Sequence, residues 1–320
     1  MNILVTGGCG FIASNFIRKE LSENSENTIT NLDSLTYAGN PSNCKDFEEN
    51  PRYSFIKADI NEINRLKVRK DFDWIVNFAA ETHVDNSISG PDAFVKTNIN
   101  GALELLKFCR QNDINFFQIS TDEVYGSIEK GAFKESDVFL PNSPYSASKA
   151  AAEMLVRAYQ KTYGLKTLVS RSSNNYGPFQ HPEKLIPLFI TNLLEGKKVP
   201  VYGSGLNVRD WVFVEDNSKM LSIMLNSGKT NESYNIGGLN ERSNLEITRM
   251  LLKGLGKDEK SIEHVEDRKG HDFRYALDCK KFEKDFGKFK RAEFQKGLQL
   301  TIDWYKNNAS WWKPLKQKKE

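Results

Sequence analysis

Cysteine and histidine are both scarce in this chain, at four residues each among 320, and both are scattered. Cys9, Cys44, Cys109 and Cys279 form neither a CxxC pair nor a Cys/His cluster, so neither a structural metal nor a disulfide framework is expected. There is no run of 18 apolar residues, so no membrane-spanning helix and no membrane partner are expected. No low-complexity tract or internal repeat occurs. A strong charge bias is also lacking: Lys plus Arg number 45 against 42 Asp plus Glu. The visible basic excess lies at Lys313, Lys316, Lys318 and Lys319, reads as a solvated terminus, and gives no reason to expect nucleic acid as a partner. Met1 leads into Ile3-Leu4-Val5 without a basic leader or small-residue cleavage site, which makes the cytoplasm the expected compartment.

What is present is an ordinary globular composition, with enough chain for one large domain and a smaller lobe. Short β-rich apolar runs alternate with longer helical stretches through the first half, the pattern of parallel βαβ units. Strands are expected at 2–6, 28–32, 54–58, 74–78, 115–120 and 167–171, and helices at 11–22, 101–111 and 145–163. From Gly177 onward Gly, Pro and Asn punctuate shorter, mixed elements. The expected architecture is α/β: a Rossmann-type doubly wound parallel sheet over residues 1–176, with a smaller mixed α/β lobe formed by 177–210 and 240–320. The segment 211–239 is expected to return to the main sheet, through 211–224 and 234–237. The aromatic end, Trp304-Tyr305 and Trp311-Trp312, reads as a packed terminal helix.

Directly after the first strand comes Gly7-Gly8-Cys9-Gly10-Phe11-Ile12-Ala13, which opens a helix. Gly7 permits a tight turn, Gly10 lets backbone approach a pyrophosphate, and small Ala13 lets the helix lie close on the strand. Asp33 ends the second strand twenty residues after Ala13, where a carboxylate accepts from a ribose diol and repels a 2′-phosphate. NAD is therefore the expected cofactor. Asp59, after the third strand, suits either the adenine side or a helix cap.

Tyr145 and Lys149 stand four residues apart, one helical turn, so both face one side. An ammonium beside the phenol is expected to lower its pKa and make it a base for a sugar hydroxyl. Ser120-Thr121 ends the preceding strand, and the Thr121 hydroxyl completes a redox triad. Asp122 and Glu123 follow at once, at the end of a strand where parallel sheets place active sites. One carboxyl held protonated beside an ionised neighbour supplies both the acid and the base that loss of water from a sugar demands.

These segments together resemble the extended short-chain dehydrogenase/reductase superfamily, and within it the nucleotide-sugar 4,6-dehydratases. The resemblance is carried by the glycine turn, 35–40 (LTYAGN), 79–85 (AAETHVD), 120–126 (STDEVYG), the Tyr145/Lys149 helix, 173–178 (SNNYGP), 182–187 (PEKLIP), 207–211 (NVRDW) and 267–272 (DRKGHD). It implies oxidation at C4 with Thr121, Tyr145 and Lys149, proton abstraction from C5 by Glu123, protonation of the departing C6 hydroxyl by Asp122, and return of hydride to C6. It further implies cofactor contacts at Phe11, Ile12, Ser34, Leu35, Thr36, Ile60, Phe78, Ala79, Ala80, Thr97 and Asn175. On the substrate side it implies Thr82, Asn174, Lys184, Leu185, Pro200, Tyr202, Arg209, Asn244, Asp267, Arg268 and His271. Arg209 and Arg268 suit a diphosphate, although each also stands next to an aspartate, Asp210 or Asp267, as in a surface ion pair. His83 is read as structural. The implied substrate is dTDP-glucose, with UDP-glucose or another nucleotide-hexose as alternatives, and the implied assembly is a homodimer joined through helices near 101–111 and 145–163. A 4-epimerase or decarboxylase on the same scaffold has no need of Asp122 and Glu123 together. A silent NAD-binding protein has no physical reason to keep the five catalytic groups.

Overall fold

The computed structural model describes residues 1–267 and 270–317. In chain order its strands are β1 (Asn2–Thr6), β2 (Thr28–Asp33), β3 (Tyr53–Lys57), β4 (Trp74–Asn77), β5 (Asn115–Thr121), β6 (Thr167–Ser172), β7 (Asn174–Tyr176), β8 (Val199–Tyr202), β9 (Val208–Phe213), β10 (Glu232–Ile236), β11 (Glu241–Ser243) and β12 (Ile262–Val265). Seven form one wholly parallel sheet in the order β3-β2-β1-β4-β5-β6-β10. The six strands and three helices expected in the first half form within one residue of the expected ends. Helix Ala102–Asn112 is preceded by a wider-wound turn, Val95–Gly101, which carries Thr97 and Asn98.

Both faces of the sheet are covered, so its strands read as continuous apolar runs. Side chains alternate all the same. Ile3 and Val5 of β1 join Phe16 and Ile17 of helix Phe11–Glu23 and Leu221 of helix Val214–Asn226 in one core. Leu4 points the other way, to Leu105 and Leu106 of helix Ala102–Asn112 and Val156 of helix Pro144–Tyr163. The chain order reverses between β1 and β4, and a crevice opens there, outside the carboxyl ends of the strands.

A third core gathers Tyr176, Ile186, Phe189, Val201, Trp211, Ile247, Leu251, Tyr305 and Trp312. Two expectations are corrected here. Segment 211–213 does not enter the main sheet: as part of β9 it pairs with β7 and, antiparallel, with β11. Only helix Val214–Asn226 and β10 return. The reason is strand alternation, which puts Val212 in the first core and Trp211 and Phe213 in the third, so β9 bridges the two. Nor does all of 240–320 belong with the smaller lobe, because Phe282 of helix Lys280–Phe286 packs in the first core beside Tyr234 of β10.

Next to the crevice runs a buried polar chain. Arg171 of β6 donates to both Glu153 carboxylate oxygens, at 3.2 and 2.9 Å through Nε and 2.8 Å through Nη2, and to the Tyr125 hydroxyl at 2.6 Å. Tyr125 donates onward to Asn235 of β10 at 2.8 Å, so the turn after β5 is anchored from beneath. The ion pair is almost fully shielded, with side-chain exposures of 6% and 2%. Removing one member leaves an uncompensated buried charge. Glu153→Ala is expected to lower the unfolding free energy by about 3–5 kcal/mol, read as a reduced urea midpoint. A loss below about 0.5 kcal/mol, the range of surface substitutions, would show that the pair does not hold this region.

Candidate active site

The turn after β1 leaves no room for side chains. Gly7 lies at φ +69°, and a Cβ there would stand 2.8 Å from the Ala79 backbone. Gly8 rests on the Asn31 amide, whose Oδ1 accepts its N–H at 3.0 Å and would lie 2.1 Å from a Cβ. Helix Phe11–Glu23 starts from Gly10 with no side-chain cap, so its first N–H groups are left for a ligand at the positive end of the helix dipole. Asp33 accepts the Cys9 N–H at 2.9 Å through Oδ2 and the Leu35 N–H at 2.7 Å through Oδ1. Burial raises its pKa, and these two backbone bonds oppose the rise. Asp59 caps the turn Ile60–Arg65, accepting the Asn61 N–H at 2.9 Å, and it also lines the crevice.

The crevice is a cavity of about 340 Å³. Of the residues expected at the cofactor, Gly7, Gly10, Phe11, Ile12, Asp33, Ser34, Thr36, Asp59, Ile60, Phe78, Ala79, Ala80, Thr97, Tyr145, Lys149 and Asn175 line it. So do Thr82, Thr121, Asp122, Glu123, Asn174 and Lys184. Leu35 does not; at φ 56° its side chain packs on the first core while its N–H serves Asp33. Leu185, Pro200, Tyr202, Arg209, Asn244, Asp267 and His271 do not line the cavity either. Three of them meet one another: His271 Nδ1 lies 2.6 Å from Asp267 Oδ1, with its ring edge-on to Tyr202. Arg209 is buried over the Tyr275 ring and donates to the Val208 and Asp272 carbonyls at 2.8 and 2.9 Å. Its ion-pair reading is corrected, since Asp210 instead accepts the Asn240 N–H at 2.6 Å. Arg268 lies outside the described residues.

Thr121 caps the short turn Asp122–Tyr125, accepting the Glu123 N–H and donating to Asp122 Oδ1, both at 3.2 Å. Asp122 is buried, and burial pushes its carboxyl well above the usual range, with Glu123 and Asp210 adding to the rise. This surrounding favours the protonated form. Helix Pro144–Tyr163 starts from a capping box in which the Ser146 N–H donates to Ser143 Oγ at 3.1 Å and the Ser143 N–H to Ser146 Oγ at 3.0 Å. That cap sets Tyr145 and Lys149 facing the end of β5. The expected lowering of the phenol pKa is not found. Burial raises it, Glu123 adds to the rise, and a hydrogen bond with Thr121 works the other way. Lys149 donates instead to the Ile119 carbonyl at 2.7 Å, and burial draws its ammonium down to about 8.

Other residues in and behind the cavity wall escaped sequence reasoning. Asn98 bridges the Glu81 backbone, donating to its carbonyl at 3.0 Å and accepting its N–H at 2.9 Å, and also donates to Ser148 at 2.8 Å. Glu183 is buried, with the Tyr37 hydroxyl donating to it at 3.1 Å. Its neighbour Lys184 was singled out; nothing in the local pattern marks Glu183 itself. His83 caps the short helix Val84–Ser89, as its structural reading implies.

The donor set suits a large polar ligand. Ser120 Oγ, Asp122 Oδ2, Asn174 Oδ1, Asn175 Oδ1 and Gln180 Oε1 are buried at this cavity without a hydrogen-bond partner among the described residues. Buried unsatisfied groups of this kind cost about 1–3 kcal/mol each unless a ligand meets them. A glycine turn at the switch point, an acid ending β2 and a Tyr-x-x-x-Lys helix define a dinucleotide-dependent protein of the short-chain dehydrogenase/reductase type. The family model described as GDP-mannose 4,6 dehydratase matches residues 4–301, and the chain belongs to that family. It is 49% identical over 95% of its length to the low-salt glycan biosynthesis protein Agl12 of Haloferax volcanii, covering 98% of that protein. It is 45% identical over 99% of its length to a dTDP-glucose 4,6-dehydratase of Streptomyces antibioticus, covering 96% of it. The structure of the dTDP-glucose 4,6-dehydratase DesIV of Streptomyces venezuelae, solved with NAD bound, superposes with a TM-score of 0.95 at 46% identity, covering 98% of this chain and all of that one.

The raised Asp122 pKa has a consequence for stability. The folded state keeps a proton that the unfolded chain releases above about pH 3.9. Stability from this group is thus full below that pH and falls as pH rises toward the folded value. Asp122→Asn is expected to melt above wild type at neutral and alkaline pH, with the gap closing toward about pH 4. Melting temperatures that track each other throughout would mean that Asp122 titrates as an ordinary surface acid.

Proposed function

We propose that this protein is an NAD-dependent dTDP-glucose 4,6-dehydratase, a hydro-lyase that yields the 4-keto-6-deoxy nucleotide sugar. The observation that carries this reading is the placement of Asp122 and Glu123 in the same cavity as Thr121 and Tyr145, with Asp122 buried and its carboxyl pKa raised by that burial. The 4,6-dehydratase relatives and the DesIV structure support it.

Gly7, Gly10 and the start of helix Phe11–Glu23 hold the dinucleotide phosphates, and Asp33 faces the ribose and repels a 2′-phosphate. When bound, NAD supplies the hydride acceptor at C4, a positive charge that offsets the effect of the carboxylates on the Tyr145 phenol, and the hydride donor at C6. Tyr145, oriented by Thr121, takes the O4 proton as the C4 carbonyl forms, while Lys149 holds the local potential positive. The carbonyl acidifies C5–H, and Glu123 removes that proton. Asp122 gives its proton to the C6 hydroxyl, which departs as water as the C5–C6 double bond forms. Once the hydride taken from C4 is given to C6, Glu123 returns its proton to C5, and the cofactor would end in its starting state. Asn174 and Lys184 are assigned to the sugar. Leu185, Pro200, Tyr202, Arg209, Asn244, Asp267, Arg268 and His271 are assigned to the nucleotide diphosphate, with guanidinium forks matching phosphate oxygens. Helices Ala102–Asn112 and Pro144–Tyr163 are assigned to a homodimer interface. Nucleotide-sugar chemistry and four free thiols fit a cytoplasmic setting.

Incubation with dTDP-glucose is expected to produce the alkali-induced chromophore of a 4-keto sugar, and turnover of dTDP-glucose should exceed that of UDP-glucose. Recovery of the C4 epimer with no keto sugar would overturn the dehydratase reading. Glu123→Gln is expected to lose product formation by about 10²-fold or more while still reducing the cofactor on mixing with substrate. Undiminished product would remove Glu123 as the base. Tyr145→Phe is expected to abolish that initial reduction; normal NADH formation would remove Tyr145 from the redox step.

A further inference from the structure

One wall of the cavity comes from the far end of the chain. Trp311 and Leu315, on helix Ala309–Gln317, are among the residues that line it. The Trp311 indole N–H donates to Asn43 Oδ1 at 2.9 Å, and the other end of the same amide donates through Nδ2 to the Cys9 carbonyl inside the turn at 2.8 Å. Asn43 is itself buried, and Trp311 is partly buried over it. On the opposite side the helix is anchored in the third core, where Trp312 is buried and donates to the Tyr305 carbonyl at 2.8 Å. Lys316 reaches Asn192 and Glu195, both at 2.8 Å. The helix is thus bolted to the smaller lobe and reaches the dinucleotide lobe through the Trp311 indole.

Resting on the dehydratase reading, we infer that Trp311 is a cofactor-retention residue, the latch of a C-terminal wall that must part from Asn43 before NAD can exchange. A reaction that ends with its cofactor in the starting state gains from slow cofactor release. The physical route is twofold. The indole covers dinucleotide surface with a large rigid apolar face, and its N–H braces the turn that holds the phosphates.

The test uses the holoenzyme. Wild type, Trp311→Phe and Trp311→Ala are each loaded with NAD, passed through gel filtration and assayed for retained nucleotide. The rate of cofactor loss is then followed by chasing NADH with excess NAD and reading fluorescence. Trp311→Ala is expected to release cofactor about tenfold faster or more, a change in off-rate as for most affinity changes at a site. Trp311→Phe, which keeps a ring but loses the N–H, should fall between the two. Affinity for dTDP in the loaded protein should change less than about twofold, since the expected dTDP contacts lie on other elements. Release from folded Trp311→Ala at the wild-type rate would overturn the inference. If Trp311→Ala does not fold, Trp311→Phe decides, and wild-type release from that variant overturns it equally. Failure of wild type to bind NAD at all would sink the dehydratase reading, a result distinct from retention that does not depend on Trp311.

Discussion

The bond from the Cys9 N–H to Asp33 Oδ2, at 2.9 Å, joins the turn after β1 to the end of β2, and most of the site hangs on it. With Oδ1 holding the Leu35 N–H, one carboxylate sets both the phosphate turn and the loop that follows β2. Asn31, two residues earlier on the same strand, supports Gly8 from below and leaves that position no Cβ. Asn43 then takes the Cys9 carbonyl and passes the connection to Trp311. The cofactor lobe is therefore organised by side-chain amides and a carboxylate that satisfy turn backbone, as buried peptide groups require.

The chemical half of the cavity obeys a different constraint, the cost of keeping charge out of water. Asp122, Tyr145 and Lys149 are all buried, and burial drives each toward its neutral form. This suits the acid role proposed for Asp122, because burial favours the protonated carboxyl. The same term withholds the base form of Tyr145 until positive charge arrives beside it. Beneath the site, the Arg171–Glu153 pair shows the other solution, two buried charges satisfying each other. Its hydrogen bond to Tyr125 ties that stability to the catalytic turn.

Much of this was legible in the residues alone. The six strands of the first half announced themselves as short apolar runs, and Tyr145 with Lys149 as a four-residue interval, because period and spacing are local properties. Segment 211–213 was misplaced because an apolar run does not say which sheet it joins. Its alternation sends Val212 to one core and Trp211 and Phe213 to another. The same rule explains Arg209 and Asp210. Adjacency suggested an ion pair, but neighbours on a strand point to opposite faces, so Arg209 meets Tyr275 and Asp210 meets the Asn240 backbone. Trp311 read as terminal packing because nothing near it in sequence mentions Asn43.

The residues in order were enough to determine a parallel α/β fold, a dinucleotide turn closed by an acidic strand end, and a Thr-Asp-Glu run set against a Tyr-Lys pair. Each of these rests on intervals of one, two or four residues, which the backbone geometry converts directly into shared faces and strand ends. Only the tertiary structure decided that burial raises the Asp122 pKa, that Lys149 bonds the Ile119 carbonyl, and that the C-terminal helix helps to wall the cavity. Desolvation and through-space contact depend on which distant segments surround a group, and spacing along a chain carries no record of that.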